Sequence, residues 1–113
     1  MTAAVATPAI ASETPSAAEL TNNTLVWPGP DGEPLMIHFG RFENFDRYIP
    51  CTFESGLWAI DGEGHLDLTY DNPRIAAQRY VLSGKPPAAI TMTSPGGETF
   101  VAELKEGDHL PWF

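Results

Sequence analysis

The sequence predicts an all-β fold: a single-domain antiparallel meander of six to eight short strands, forming a curled sheet or a small barrel, with at most one short helix. Runs of β-branched and aromatic residues recur about every ten residues, each bounded by Gly, Pro, Asn or Asp. The 11 prolines and 10 glycines are spread over the whole chain, which favours many short elements over long helices. At 113 residues there is room for one domain with one core.

The chain begins with a leader and a short helix. Residues 1–15 contain two prolines and no apolar period, so we expect a disordered leader followed by a single β-rich domain at 16–113. Ser16 and Glu19 have the spacing of a capping box, in which each side chain accepts a hydrogen bond from the other residue's backbone N–H. This pattern predicts one helical turn at the start of the domain.

The predicted strands follow one another with short turns between them. They are residues 24–27, 35–39, 51–54, 57–60, 65–70, 77–82, 89–93 and 99–104. Segment 40–50 is aromatic and charged, with Phe42, Phe45 and Tyr48 at a spacing of three, so a helical turn and a strand both stay open there. Ser55-Gly56 is taken as a break between two strands.

The apolar pattern selects the register of a hairpin over residues 57–70. A three-residue loop at 62–64 places Trp58 opposite Leu68 and gathers the large apolar side chains on one face. A two-residue loop instead mixes apolar and charged groups on the same face. Burial of the apolar set therefore predicts the three-residue loop, with Gly64 in the left-handed conformation that its bulge requires.

A second hairpin is predicted over residues 88–104. Pro95 supplies the backbone angle of a type I turn, and Gly97 supplies the left-handed residue that follows it. Ser94 is then opposite Glu98, and the apolar residues of both strands share one face.

The chain ends in Leu110, Trp112 and Phe113. Three large apolar side chains exposed together would form a contiguous apolar patch on a small protein. We therefore expect them to pack onto the sheet.

The formal net charge of −9, from 15 acidic and 6 basic residues, restricts the partners. A chain of this charge repels phosphate backbones and anionic lipid surfaces, so we expect no nucleic-acid partner. No apolar run approaches the roughly 18 residues of a transmembrane helix, so no membrane insertion is expected. The sequence does not indicate an oligomeric state.

The N-terminal residues bear on the compartment. Ala9-Ile10-Ala11 fits the small-x-small pattern of a signal-peptidase site, although a positive n-region and a long h-region are missing. One interpretation is the end of a signal peptide, with a mature protein that begins near Ser12 and is periplasmic or secreted. The other is a disordered leader on a cytoplasmic protein. We favour export. Cys51 is the only cysteine, which is neutral between the two compartments.

The short sequence motifs do not identify a reaction, a metal or a cofactor. Gly56-Leu57-Trp58 resembles the G-x-W signature of lipocalin-type barrels, but that motif lies on the first strand with about seven strands after it. Here at most four strands follow, so nothing else is carried over, and Trp58 is expected to anchor the core. The segment 61–64 lacks the ligand series of a calcium loop. His38, His65 and His109 lie in different predicted elements, and no catalytic residue, metal motif or cofactor is predicted.

The candidate binding residues are Asp61, His65 and Asp67. The register of the first hairpin places Asp61 opposite His65 on the outer face, with Asp67 two residues further on. Two carboxylates and an imidazole suit a weak divalent-cation or proton-linked site. An exposed cross-strand ion pair explains the same arrangement without any ligand.

Three function classes remain compatible with the sequence. We favour a small, acidic, exported, non-enzymatic domain that binds a protein or a small ligand through an aromatic face. The alternative is an acidic intracellular inhibitor or immunity-type protein that blocks a basic partner. A small metal-dependent or acid/base enzyme is the third class.

Overall fold

The computed structural model describes residues 13–49 and 52–111, which form a closed eight-stranded antiparallel barrel. The strands are β1 (Asn23–Pro28), β2 (Pro34–Phe39), β3 (Asn44–Ile49), β4 (Thr52–Ile60), β5 (His65–Tyr70), β6 (Gln78–Ser83), β7 (Ile90–Thr93) and β8 (Thr99–Glu106). Each strand pairs with the next along the chain, and β8 pairs with β1, so the sheet has no free edge. The predicted meander is confirmed, in its closed-barrel form.

Alternate residues of every strand point into the barrel and form one core. Its buried apolar members are Leu20, Leu25, Trp27, Ile37, Phe39, Phe45, Trp58, Leu66, Leu68, Tyr70, Tyr80, Leu82, Ile90, Met92 and Ala102. Trp58 anchors the core as expected: its ring packs edge-on against Phe39 at 4.9 Å, and its Nε1 donates to the carbonyl of Gly40 at 3.2 Å. The strand that carries Trp58 is the fourth, and four strands follow it.

A four-residue helix, α1 (Ala17–Leu20), precedes β1. Both arms of the predicted capping box form, because Ser16 Oγ accepts from the Glu19 N–H at 3.1 Å and the Glu19 carboxylate accepts from the Ser16 N–H at 2.9 Å. Leu20, the last residue of α1, is fully buried in the core. The helix therefore packs against the barrel.

Residues 13–15 also pack against the barrel. The carbonyl of Glu13 accepts a hydrogen bond from the Gly84 N–H at 2.9 Å, and Pro15 is fully buried. The packed part of the chain thus reaches back at least to Glu13, earlier than the expected start at residue 16. The rest of the predicted leader, residues 1–12, lies outside the described residues.

The structure decides between the two alternatives for segment 40–50, which contains a turn followed by a strand. In segment 40–50, residues 41–43 form a turn and β3 begins at Asn44, since Glu43 has a positive φ of 66° that reverses the chain.

The predicted break at Ser55-Gly56 is wrong. Gly56 is paired on both sides, with Phe45 of β3 and Tyr70 of β5, so one nine-residue strand runs through it. Cys51 lies outside the described residues.

The first predicted hairpin, β4–β5, has the expected register. Trp58 is opposite Leu68, and the Asp61 N–H donates to the carbonyl of His65 at 3.2 Å across a three-residue loop. Gly64 has the expected positive φ, 85°. Burial of the apolar face, rather than the length of the turn, decided this register.

The second predicted hairpin, β7–β8, is also confirmed. Met92 is opposite Phe100, and the Ser94 N–H donates to the carbonyl of Glu98 at 2.7 Å. Gly97 has the left-handed φ of 91°. The apolar side chains Ile90, Met92 and Ala102, which share one face of the hairpin, are buried in the core, as the sequence pattern predicts.

At the C-terminal end, Leu110 is buried, as expected, at 6 % exposure. The predicted burial of Trp112 and Phe113 concerns residues outside the described part of the chain. Within the described residues, no helix is long and apolar enough to cross a membrane.

The β7–β8 turn gives a matched pair of substitutions. Gly97→Val forces a β-branched residue into the left-handed region and should lower the free energy of unfolding by about 1–3 kcal/mol. Gly96→Val, one residue earlier, should cost much less, because Gly96 has no positive φ and an added Cβ there meets only Ser94 Oγ, in ordinary contact at 3.9 Å. Urea unfolding of both variants measures the difference, and equal losses would contradict the turn geometry.

Candidate functional site

The two ends of the barrel differ. Residues 13–16 and α1 lie against the end that carries the β4–β5 and β6–β7 loops, where Glu13 contacts Gly84. The opposite end, with the β1–β2 and β7–β8 loops, contains a cleft of about 520 Å³. We call it the Arg47 cleft. It is lined by Trp27, Pro28, Gly29, Pro30, Leu35, Arg47, Tyr80, Ser94, Glu98 and Phe100.

Arg47 is the buried charged residue of this cleft. It lies in β3 and alternates with Phe45, whose ring is in the core, so the β-strand period points the arginine side chain into the barrel. Only 8 % of its surface is exposed. Arginine is rarely buried to this degree unless it is paired with an anion.

One nitrogen of the guanidinium is held by two neutral groups. Arg47 Nη1 donates to the Tyr70 hydroxyl at 2.6 Å and to Gln78 Oε1 at 3.0 Å. The Tyr70 hydroxyl in turn donates to Gln78 Oε1 at 2.7 Å. These three side chains, from β3, β5 and β6, form a closed network that fixes the orientation of the guanidinium.

Two aromatic rings flank the same guanidinium. Its Cζ lies 5.7 Å from the centroid of the Trp27 ring and 5.8 Å from that of Tyr80, both within the range of cation–π attraction. Trp27 and Tyr80 are themselves buried. The cation thus lies beside two buried aromatic rings.

Among the described residues, the remaining donors of Arg47 have no well-formed acceptor. Nε is buried without a hydrogen-bond partner, and Nη2 makes no hydrogen bond of standard geometry, although a side-chain interaction with Tyr80 contributes to the raised pKa of Arg47. Glu54 is opposite Arg47 in the β3–β4 ladder, yet the two form no ion pair within the described residues. A buried donor without an acceptor costs about 1–3 kcal/mol, and more when it belongs to a charged group.

The guanidinium and its phenol neighbour keep their ordinary protonation states at neutral pH. Burial lowers the pKa of Arg47, but attraction to the Tyr80 and Tyr70 side chains outweighs burial, and the pKa lies above its usual value. Burial raises the pKa of Tyr70 despite the opposing effect of Arg47. The site therefore presents a charged guanidinium beside a neutral hydroxyl.

The residues predicted from the sequence lie elsewhere, around the β4–β5 loop. His65 Nδ1 and Asp61 Oδ2 are 2.8 Å apart, and Glu63 Oε1 lies 3.9 Å from the same nitrogen. One ligand atom from each of these three residues falls within 4.8 Å of the others. Asp67 is not part of this group, because its two carboxylate oxygens accept from Arg79 Nε and Nη2 at 2.7 and 3.1 Å.

Hydrogen bonds hold Asp61 in its ionised form. Its Oδ1 accepts from the backbone N–H groups of His65 and Glu63, at 2.9 and 2.8 Å. These bonds and the contact with the His65 side chain lower the pKa of Asp61 to about 2. The arrangement is that of an exposed turn stabilised by its own side chains, and cation binding by it stays a prediction.

The other two histidines have local partners. His38 Nδ1 lies 3.2 Å from the Thr24 hydroxyl, and His109 Nε2 lies 2.8 Å from the carbonyl of Glu106. His38 belongs to β2, His65 to β5, and His109 follows β8. The three histidines are thus in different elements, as expected.

Comparisons with known proteins do not identify a site. No family model matches the chain, and neither a search of curated proteins nor one of solved structures found a match. The functional argument therefore rests on the geometry of this chain alone.

Sequence reasoning missed Arg47, although a signal for it was present. In the run Phe45-Asp46-Arg47-Tyr48 the two-residue strand period puts Arg47 on the face of Phe45. The helix-like spacing of the aromatic residues in 40–50 hid this alternation. Once β3 is recognised as a strand, an inward arginine follows.

The lowered pKa of Asp61 predicts a pH-dependent stabilisation. A carboxylate whose pKa is lower in the folded chain stabilises the fold above its ordinary value of 3.8, and this contribution disappears as the pH falls towards about 2. Asp61→Asn keeps the acceptor oxygen and removes the charge, so its melting temperature should be lower than that of the wild type at about pH 7, with the two converging in acid. Asp31→Asn, in the exposed β1–β2 loop, is the control. A difference that does not change with pH would contradict the assignment.

Cation binding at the β4–β5 loop has a direct test. If Asp61, Glu63 and His65 bind zinc, the imidazole resonances of His65 should shift on titration, and the shift should be lost in Glu63→Gln. Asp67→Asn leaves this group intact and should retain the response. An unchanged His65 spectrum at millimolar zinc would leave only the ion pair.

Proposed function

We propose that this protein is a non-enzymatic binding protein that takes a small ligand into the Arg47 cleft. The observation that carries the proposal is a nine-tenths buried guanidinium with unused donors in the wall of an open cleft. The stability of the fold does not explain why a charged residue is buried at this position. Replacing buried ionic groups by well-packed apolar residues of similar volume is often neutral or stabilising.

The dimensions and lining of the cleft support a small molecule. Its volume of about 520 Å³ lies in the usual range for ligand pockets, roughly 300–1,000 Å³. Leu35, Phe100 and the rings around Arg47 supply apolar surface, and a few polar groups lie among them. This combination suits recognition of an apolar body by area and of one polar group by hydrogen bonds.

A larger depression on the outside of the barrel is a weaker candidate. It measures about 590 Å³ and runs along β1 and β8, where Val101 is 64 % exposed and Lys105 is on the surface. A ligand there would stay largely in contact with water and gain little from charge–charge attraction. The buried Arg47 favours the cleft at the end of the barrel.

Export is part of the same proposal, supported by the Ala9-Ile10-Ala11 pattern in the sequence. Expression of the complete gene in its own host, followed by N-terminal sequencing of the product, tests this part. A product that begins near Ser12 outside the cytoplasm supports export. An unprocessed cytoplasmic product supports the intracellular alternative.

Binding of a neutral apolar probe tests the cleft independently of charge. Phenylnaphthylamine, which fluoresces strongly in apolar surroundings, should bind the wild type. Phe100→Ala removes part of the apolar wall and should weaken binding about tenfold, which corresponds to about 1.4 kcal/mol. Val101→Ala, one residue on and facing outwards, should have no effect.

Circular dichroism shows whether each variant is folded. If Phe100→Ala proves unstable, Leu35→Ala, which also removes part of the apolar lining of the cleft, replaces it. No binding by the wild type, or equal binding by the Phe100 and Val101 variants, would refute the proposal.

A further inference from the structure

We propose that the ligand of the Arg47 cleft is an apolar monocarboxylate, whose carboxylate binds the free edge of the Arg47 guanidinium. This inference rests on the proposed function and adds the chemical class of the ligand. It starts from which donors of Arg47 are already used and which are not.

The used and unused donors lie on different sides of the guanidinium. Both hydrogen bonds to Tyr70 and Gln78 start from Nη1. Nε and Nη2 are the nitrogens that lie side by side on the remaining edge, and their N–H bonds run parallel. A carboxylate accepts two parallel N–H donors in a bidentate pair, so its geometry matches the N–H groups of Nε and Nη2.

The supporting network preorganises this edge. The Tyr70 hydroxyl donates to Gln78 Oε1, and both oxygens accept from Arg47, so the neutral groups fix the guanidinium without neutralising its charge. A protein carboxylate in an ion pair with Arg47 would compete with an anionic ligand, and no such pair forms among the described residues, although Glu54 is opposite Arg47 in the β3–β4 ladder. Within the described residues, no ion pair therefore neutralises Arg47 before a ligand binds.

The number of charges argues for a single carboxylate rather than a phosphate. One guanidinium balances one negative charge, while Glu54 is opposite Arg47 in the β3–β4 ladder, Glu98 lies at the rim of the cleft and the whole chain carries −9. A dianion would leave one charge unbalanced in this acidic surrounding. The apolar wall formed by Leu35 and Phe100 adds the second requirement, an uncharged hydrophobic body.

The rings of Trp27 and Tyr80 both lie within 6 Å of the guanidinium carbon, so a carboxylate that binds this edge has aromatic neighbours. Planar groups suit such neighbours, since they stack on aromatic faces. An aromatic carboxylate is therefore the appropriate probe.

The experiment compares naphthoate with naphthamide, which has the same shape but no charge, by isothermal titration calorimetry. Naphthoate should bind the wild type at least about tenfold more tightly, the scale of a charge-assisted pair. In Arg47→Met this preference should disappear, while phenylnaphthylamine still binds. Glu98→Gln removes the repelling charge at the rim and should tighten naphthoate binding, with naphthamide unchanged.

The role of Arg47 in binding is separable from a role in stability. In Arg47→Met the Tyr70–Gln78 hydrogen bond can persist, so we expect an unchanged or higher melting temperature together with the loss of the naphthoate preference. If this variant fails to fold, Arg47→Lys keeps the charge without the fork and should reduce the preference.

Each outcome has a distinct consequence. Equal affinities for naphthoate and naphthamide, or a preference that survives Arg47→Met, would overturn the carboxylate inference while probe binding keeps the proposed function. If neither naphthoate nor phenylnaphthylamine binds the wild type, the proposed function fails and the inference fails with it.

Discussion

Pairing of the last strand with the first is the constraint on which the rest of the structure depends. β8 joins β1 with Leu25 opposite Leu104, and this pairing converts an open meander into a barrel. The junction is reinforced by the buried hydroxyl of Thr24, which donates to the carbonyl of Gly107 at 2.7 Å and accepts from the His109 N–H at 3.1 Å. Without this closure the two edge strands would expose unpaired backbone groups. With it, every strand has two neighbours.

Closure also decides where a ligand can bind. An eight-stranded barrel is just wide enough for its interior to be filled by side chains, so the space is used by the core itself. Here Phe39, Phe45 and the other inward rings occupy it, and α1 packs Leu20 into the same core. In the part of the chain that the structure describes, the Arg47 cleft lies at the opposite end, where Arg47 replaces an apolar residue in the inward-facing series. The position of the site thus follows from the way in which the barrel is filled.

The sequence predicted the elements governed by local rules. The capping box of Ser16 and the registers of both hairpins follow from spacing and from the burial of one face, and these agree with the structure. The closing pair β1–β8 joins segments far apart in the chain, so no local pattern indicates it. The site was not predicted for a similar reason. Tyr70 and Gln78 are distant from Arg47 in sequence, and only the barrel brings their oxygens to its Nη1.

Exposure to solvent explains why the Asp61–His65 pair, predicted from the sequence, is a weaker candidate for ligand binding than the Arg47 cleft. The sequence indicates Asp61 and His65 because opposite charges face each other across a turn. Both side chains are accessible to water, where such a pair contributes little to stability. Arg47 forms no ion pair among the described residues, although Glu54 is opposite it in the β3–β4 ladder. Its burial beside Trp27 and Tyr80 removes the water that would otherwise satisfy its donors. A missing partner in an apolar surrounding is therefore a stronger indication of ligand binding than a pair already satisfied at the surface.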